Sequence, residues 1–161
     1  MEKEKIEVAI DDFKITSNPN IVLHTEGLKD CVGLVLLDHE KRGLMNIFYD
    51  GSSEFDFTLA EESIETFLAE FKEKNPTAYL AAVPVFDHNQ YAHPMVEYAQ
   101  SYLARKGIEL SVERVDLTRE FRSPATIQKR NITTKQLVVH PEKLLVIYMF
   151  GNMIMNIKKL D

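Results

Sequence analysis

The chain predicts an α+β fold: a largely antiparallel β-sheet or sandwich core with two helices packed outside it. Three observations carry this. Apolar strand patterns follow one another across short turns at both ends of the chain, which favours hairpins over parallel crossover units. Only two segments show helical spacing. The order β-β-β-β-α-β-α-β-β-β-β contains neither an internal repeat nor a low-complexity stretch.

Lys5–Ile15 alternates loosely, with Ile6, Val8 and Ile10 on one face, and predicts a strand exposed on one side. Ser17-Asn18-Pro19-Asn20 is a turn cluster, and Ile21–Thr25 a short strand. After a loop at Glu26–Asp30, Cys31–Leu37 is a continuous apolar run of the kind found in strands covered on both faces. The turn Asp38–Gly43 then returns the chain as Leu44–Tyr49, the second arm of a hairpin. Thr58 and Glu61 form a T-x-x-E capping box for a helix over 59–74, where Ile64, Phe67, Leu68 and Phe71 share a face and Asn75-Pro76 ends it. Thr77–Phe86 reads as a buried strand. Pro94 suits the first turn of a second helix, 94–106, stopped by Gly107. Ile108–Val115 is a strand, and Lys135–His140, Leu144–Phe150 and Met153–Ile157 form a meander turning at Pro141-Glu142 and Gly151-Asn152. Leu34, Leu36, Ile64, Phe67, Phe71, Val83 and Leu103 are the expected core.

At 161 residues the chain fits a single domain, 1–161, large enough to bury a sizeable core. The charged start MEKEKIE lacks the apolar stretch of a secretory signal, and no run approaches a membrane span, so a cytoplasmic protein without membrane insertion is expected. One cysteine allows neither an internal disulfide nor a cysteine-rich zinc site, and no metal or cofactor is expected. A net charge of −6 gives a nucleic-acid partner no electrostatic support. Against that acidic background, Arg119, Arg122, Lys129 and Arg130, together with Arg114, make Arg114–Arg130 a basic segment: either a solvated loop or a docking surface for an acidic partner.

The chemistry-bearing stretch is Thr25-Glu26-Gly27-Leu28-Lys29-Asp30-Cys31, which feeds the only cysteine into the apolar run VGLVLL. A free cysteine is often a small apolar filler. A thiolate held rigidly where a loop meets a strand, open from one side, is also a workable nucleophile. Thr25-x-Gly27-Leu28-x-x-Cys31, opening a strand and hairpin, resembles the chemoreceptor glutamine deamidases of the CheD family, whose segment reads T-x-G-L-G-S-C. The cytotoxic necrotizing factor and Burkholderia lethal factor toxins are similar, with an L-S-G-C element on a related fold. ITTKQLVVHPEKLLVIY, at 132–148, is similar to the family's closing hairpin.

The resemblance implies hydrolysis of a protein glutamine side chain to glutamate without a cofactor, with Cys31 as nucleophile, Thr25 as its helper, and a histidine moving the protons. Three departures stand out. Lys29-Asp30 replaces Gly-Ser, Asp30 sets a negative charge beside the thiol, and the return strand LMNIFY carries Asn46 or Ile47 where the family has its histidine. Asparagine exchanges hydrogen bonds but is no base near pH 7. His88 or His93, in the loop FDHNQYAHP, is a candidate displaced base, and His93 is equally a candidate helix cap. His39 belongs to the far turn of the hairpin, and His24 points away from Thr25. Three readings stay open: an active glutamine deamidase of chemotaxis type, an inactive deamidase-fold module that binds a regulatory protein, and a secreted effector deamidase acting on a host protein.

Overall fold

The computed structural model describes residues 3–28, 30–71, 75–82, 86–87, 90–91, 93–108, 110–113, 134–148 and 154–159. The fold is α+β. Its strands are β1 (Glu4–Glu7), β2 (Phe13–Thr16), β3 (Ile21–Leu28), β4 (Val32–Leu37), β5 (Arg42–Ile47), β6 (Thr77–Ala81), β7 (Phe86–Asp87), β8 (Gln90–Tyr91), β9 (Leu110–Glu113), β10 (Thr134–Val139), β11 (Lys143–Tyr148) and β12 (Ile154–Lys159). Its helices are α1 (Phe57–Ala69) and α2 (Pro94–Arg105).

Two five-stranded sheets run in the orders β1-β3-β10-β11-β12 and β2-β5-β4-β6-β9. Most pairs are antiparallel; β1 with β3 and β6 with β9 are parallel. One apolar layer, with Val8, Leu23, Leu28, Val35, Leu44, Ala81, Leu137 and Val139, lies between the sheets. A second layer packs α1 and α2 onto the other face of the β4–β5–β6 sheet through Leu34, Leu36, Met45, Ile47, Ile64, Phe67, Leu80 and Leu103. Strand β4 is therefore covered on both faces, which is why its sequence is apolar without alternation. Leu34, Leu36, Ile64, Phe67, Phe71 and Leu103 are buried, as expected, and Val83 lies outside the described residues.

The expected hairpin forms: β4 and β5 pair antiparallel from Val32–Ile47 to Leu37–Arg42. The meander β10-β11-β12 forms likewise. Four expectations need correction. Lys5–Ile15 is two strands, not one. A turn with Asp11 at φ 62° breaks the run, sending β1 into one sheet and β2 into the other. The segment Glu26–Asp30, read as a loop, is strand as far as Leu28, because β10 supplies partners for it in register. The first helix starts at Phe57 and ends at Ala69. Its N-cap is Asp56, whose carboxylate accepts from the Thr58 N–H at 3.0 Å, so the T-x-x-E pattern begins two residues past the cap, inside the first turn. Within Thr77–Phe86 the strand β6 ends at Ala81, β7 begins at Phe86, and 83–85 lie outside the described residues.

Candidate functional site

Thr25 and Asn46 meet near the open end of the β4–β5 hairpin, and Cys31 lies just before the start of β4 in the layer between the sheets. Gly27, at φ +70°, lets β3 bend so that the chain can pass from one sheet into the other within a few residues. Strand alternation then settles which return-strand residue faces the thiol. Asn46 pairs with Gly33, two residues beyond Cys31 on the same face, while Ile47 points into the helix layer.

Asn46 is wholly buried, and its neighbours fix its orientation. The Thr25 hydroxyl donates to the Val8 carbonyl at 2.8 Å, so its oxygen can only accept from Asn46. The Asn46 Nδ2 group donates to Thr25 Oγ1 at 2.8 Å and to the Glu26 carbonyl at 3.2 Å. Both amide hydrogens are thus committed, and Oδ1 is left buried with no hydrogen-bond partner. The backbone around Asn46 is tied as well. Its carbonyl accepts from the Asp11 N–H at 2.8 Å, and its own N–H donates to the Asp12 carbonyl at 3.1 Å.

Cys31 is 6% exposed and its thiol donates to the Tyr49 carbonyl over 3.9 Å. Burial pushes the thiol pKa up, the strongest influence on it. A backbone hydrogen bond at Tyr49 opposes this, and the Asp30 and Asp11 carboxylates add to the rise. The environment favours the protonated, unreactive form.

His93 lies beside Tyr49 and within the influence of Asp30, the residue before Cys31. It caps α2, its Nδ1 accepting from the Val96 N–H at 3.4 Å, and its ring lies 5.7 Å from that of Tyr49 within the helix layer. Burial lowers its pKa, while a hydrogen bond to the Asp30 backbone and the Asp30 charge work in the opposite direction. With Nδ1 accepting from Val96, the single lone pair of the neutral ring is already engaged and is not free for a thiol proton. His39 lies exposed at the hairpin turn beside Glu40, six strand residues or about 20 Å from the Cys31 end. His24 is half-buried, with Nδ1 3.2 Å from Gln136 Nε2. His88, Arg119, Arg122, Lys129 and Arg130 lie outside the described residues. Among the described residues, no group of three or more His, Cys, Asp or Glu is placed to hold a metal ion, and no helix is long and apolar enough to cross a membrane.

Three participants escaped sequence reasoning: Val8, Glu26 and Tyr49. All act through main-chain carbonyls, which leave no trace in side-chain identity. The only available signal was register, since Tyr49 follows the end of the strand that pairs with β4.

The fold and site define a two-sheet α+β domain with one buried cysteine at a sheet junction, flanked by a threonine–asparagine pair. No family model matches the chain, and no curated protein matches it. Among solved structures it is similar to the hypothetical protein YfiH of Bacillus licheniformis, with 14% identity and a TM-score of 0.48 over 85% of this chain and 69% of that one.

Proposed function

We propose that this domain acts by binding a protein partner, and that the deamidase-like centre at Cys31 does not hydrolyse amides. Asn46 is the observation that carries this reading. At the position where the resemblance expects a histidine stands an amide whose hydrogens are committed to Thr25 and Glu26 and whose oxygen can only accept. Amide hydrolysis through a cysteine needs a thiolate, a group to take its proton and return one to the departing ammonia, and donors for the oxyanion. Here burial favours the protonated thiol, the Thr25 hydroxyl is already bonded to Val8, and the lone pair of His93 Nδ1 is taken by the Val96 N–H. General acid–base help alone is typically worth about 10²–10⁴-fold. In place of a reacting centre, the same residues make a polar pin joining β3, β5 and the β1–β2 turn.

The test incubates the purified domain with a glutamine-bearing, receptor-type helical peptide. It follows ammonia release and the conversion of glutamine to glutamate by mass spectrometry. The parent is expected to be inert, and Asn46→His to show a gain. Release by the parent that disappears in Cys31→Ala would overturn the proposal and restore the deamidase, of chemotaxis or effector type.

A further inference from the structure

We infer that the corner formed by the β1–β2 turn, the end of β5 and the start of α1 docks a basic amphipathic segment of another protein. This rests on the reading that the domain works by binding. The large apolar side chains most exposed among the described residues are Leu59 at 57%, Ile10 at 55% and Phe48 at 44%. The fold gathers all three. Asp11 and Asp12 both hydrogen-bond the Asn46 backbone, which sets Ile10 across from the Ile47–Phe48 step. Ser63 Oγ donates to Asp11 Oδ1 at 3.4 Å, holding one flank of α1 over this turn, and Leu59 lies one helical turn earlier on that flank. The Phe48 ring stands 5.9 Å from that of Phe55, which leads into α1.

Charge identifies the occupant. Ile10 is followed by exposed Asp11 and Asp12, Phe48 is followed at one remove by exposed Asp50, and Leu59 lies between exposed Asp56 and Glu62. Residues 6–13 contain no lysine or arginine, and residues 43–71 contain seven acidic residues and no basic one. An apolar surface ringed by carboxylates attracts and orients a partner whose apolar side chains are flanked by lysine or arginine. It repels polyanions and anionic lipid, and a second copy of a chain of net charge −6 would bring like charge to the contact.

The experiment titrates the full chain into a fluorescein-labelled amphipathic helix of lysine and leucine and reads anisotropy at low and high salt. Binding should weaken with salt. It should also weaken on the order of tenfold in Leu59→Ser and in Ile10→Ser, and similarly in the double variant Asp11→Asn with Asp12→Asn. Glu97→Gln, on exposed α2 surface, should leave it unchanged. All substituted side chains are exposed, and circular dichroism confirms that each variant folds. Equal affinity for a composition-matched scrambled peptide, no loss in the serine variants, or no binding at all would overturn the inference. Self-association of the parent that Leu59→Ser abolishes would also overturn it, in favour of a second copy. The readout is independent of ammonia release: were the domain an active deamidase, peptide docking would still be seen, as substrate capture.

Discussion

Asn46 has two hydrogens to give, and its two neighbours can only accept. This makes the position intolerant of acids. In Asn46→Asp a carboxylate would face Thr25 Oγ1, whose hydrogen is held by Val8, and the Glu26 carbonyl, with no donor among the three. Asn46→Ala should cost about 1–3 kcal/mol for the lost bonds and the unsatisfied carbonyl. Asn46→Asp should cost more, and its deficit should grow with pH. Burial raises the folded-state pKa of such a carboxyl above its unfolded value, so the variant is most stable below the unfolded pKa and loses stability as pH rises through the folded one. Urea unfolding of the parent and both variants at pH 4.5 and pH 8, as about these two values bracket the titration, measures both effects; equal deficits at both would contradict this network. Cys31 makes a second residue-level expectation. Its raised pKa and 6% exposure should let native protein react with iodoacetamide more slowly than glutathione does at the same pH, with full reactivity after unfolding. Faster native labelling would mean an accessible thiolate and argue for a nucleophile.

His93 does for α2 what Asp56 does for α1, but it titrates. As cap it must stay neutral, and burial depresses its folded pKa below the ordinary 6.5. The unfolded chain therefore binds the proton first. The stability tied to a neutral His93 is complete above about pH 6.5 and is lost as pH falls through the folded-state value, at up to about 1.4 kcal/mol per pH unit. His93→Asn keeps a capping side chain without a titrating ring and should flatten this part of the pH profile. Burial and the Lys143 charge shift His140 in the same direction, so the comparison is the difference between parent and variant. A variant with an unchanged acid slope would place the titration elsewhere. Between the helices, Tyr98 donates to Glu61 and Tyr102 to Glu65, and burial with the neighbouring carboxylate pushes the Tyr102 phenol up to about 12. The α1–α2 seam is thus polar at its rim and apolar beneath.

Gly33 of β4 makes room for Leu137 of the facing sheet. A Cβ on Gly33 would stand 2.5 Å from Leu137 Cδ2, across the layer between the sheets. A Cβ on Gly43 would stand 2.6 Å from the Phe67 ring on the helix side. Gly33→Val forces Leu137 aside or separates the sheets and should destabilise by about 1–3 kcal/mol. Restoring the space with Leu137→Ala in the same chain should recover part of that loss, a non-additivity that a double-mutant cycle reads directly. Strict additivity would mean that the sheets do not meet there.

The sequence by itself determined the α+β class, the β4–β5 hairpin, both amphipathic helices, the closing meander and the helix-facing core, because each rests on local periodicity or turn chemistry. It also offered Thr25, Cys31 and either Asn46 or Ile47 as neighbours, through the resemblance of a short motif and the hairpin that follows it. Tertiary structure alone decided the rest. The break at Asp11 and the division of β1 and β2 between two sheets depend on partners far along the chain, as does the extension of β3 to Leu28 on β10. Which return-strand residue faced the thiol depended on a register that a one-residue slip would reverse. The state of the candidate site was set by carbonyls of Val8, Glu26 and Tyr49, backbone groups that every residue carries and no sequence distinguishes.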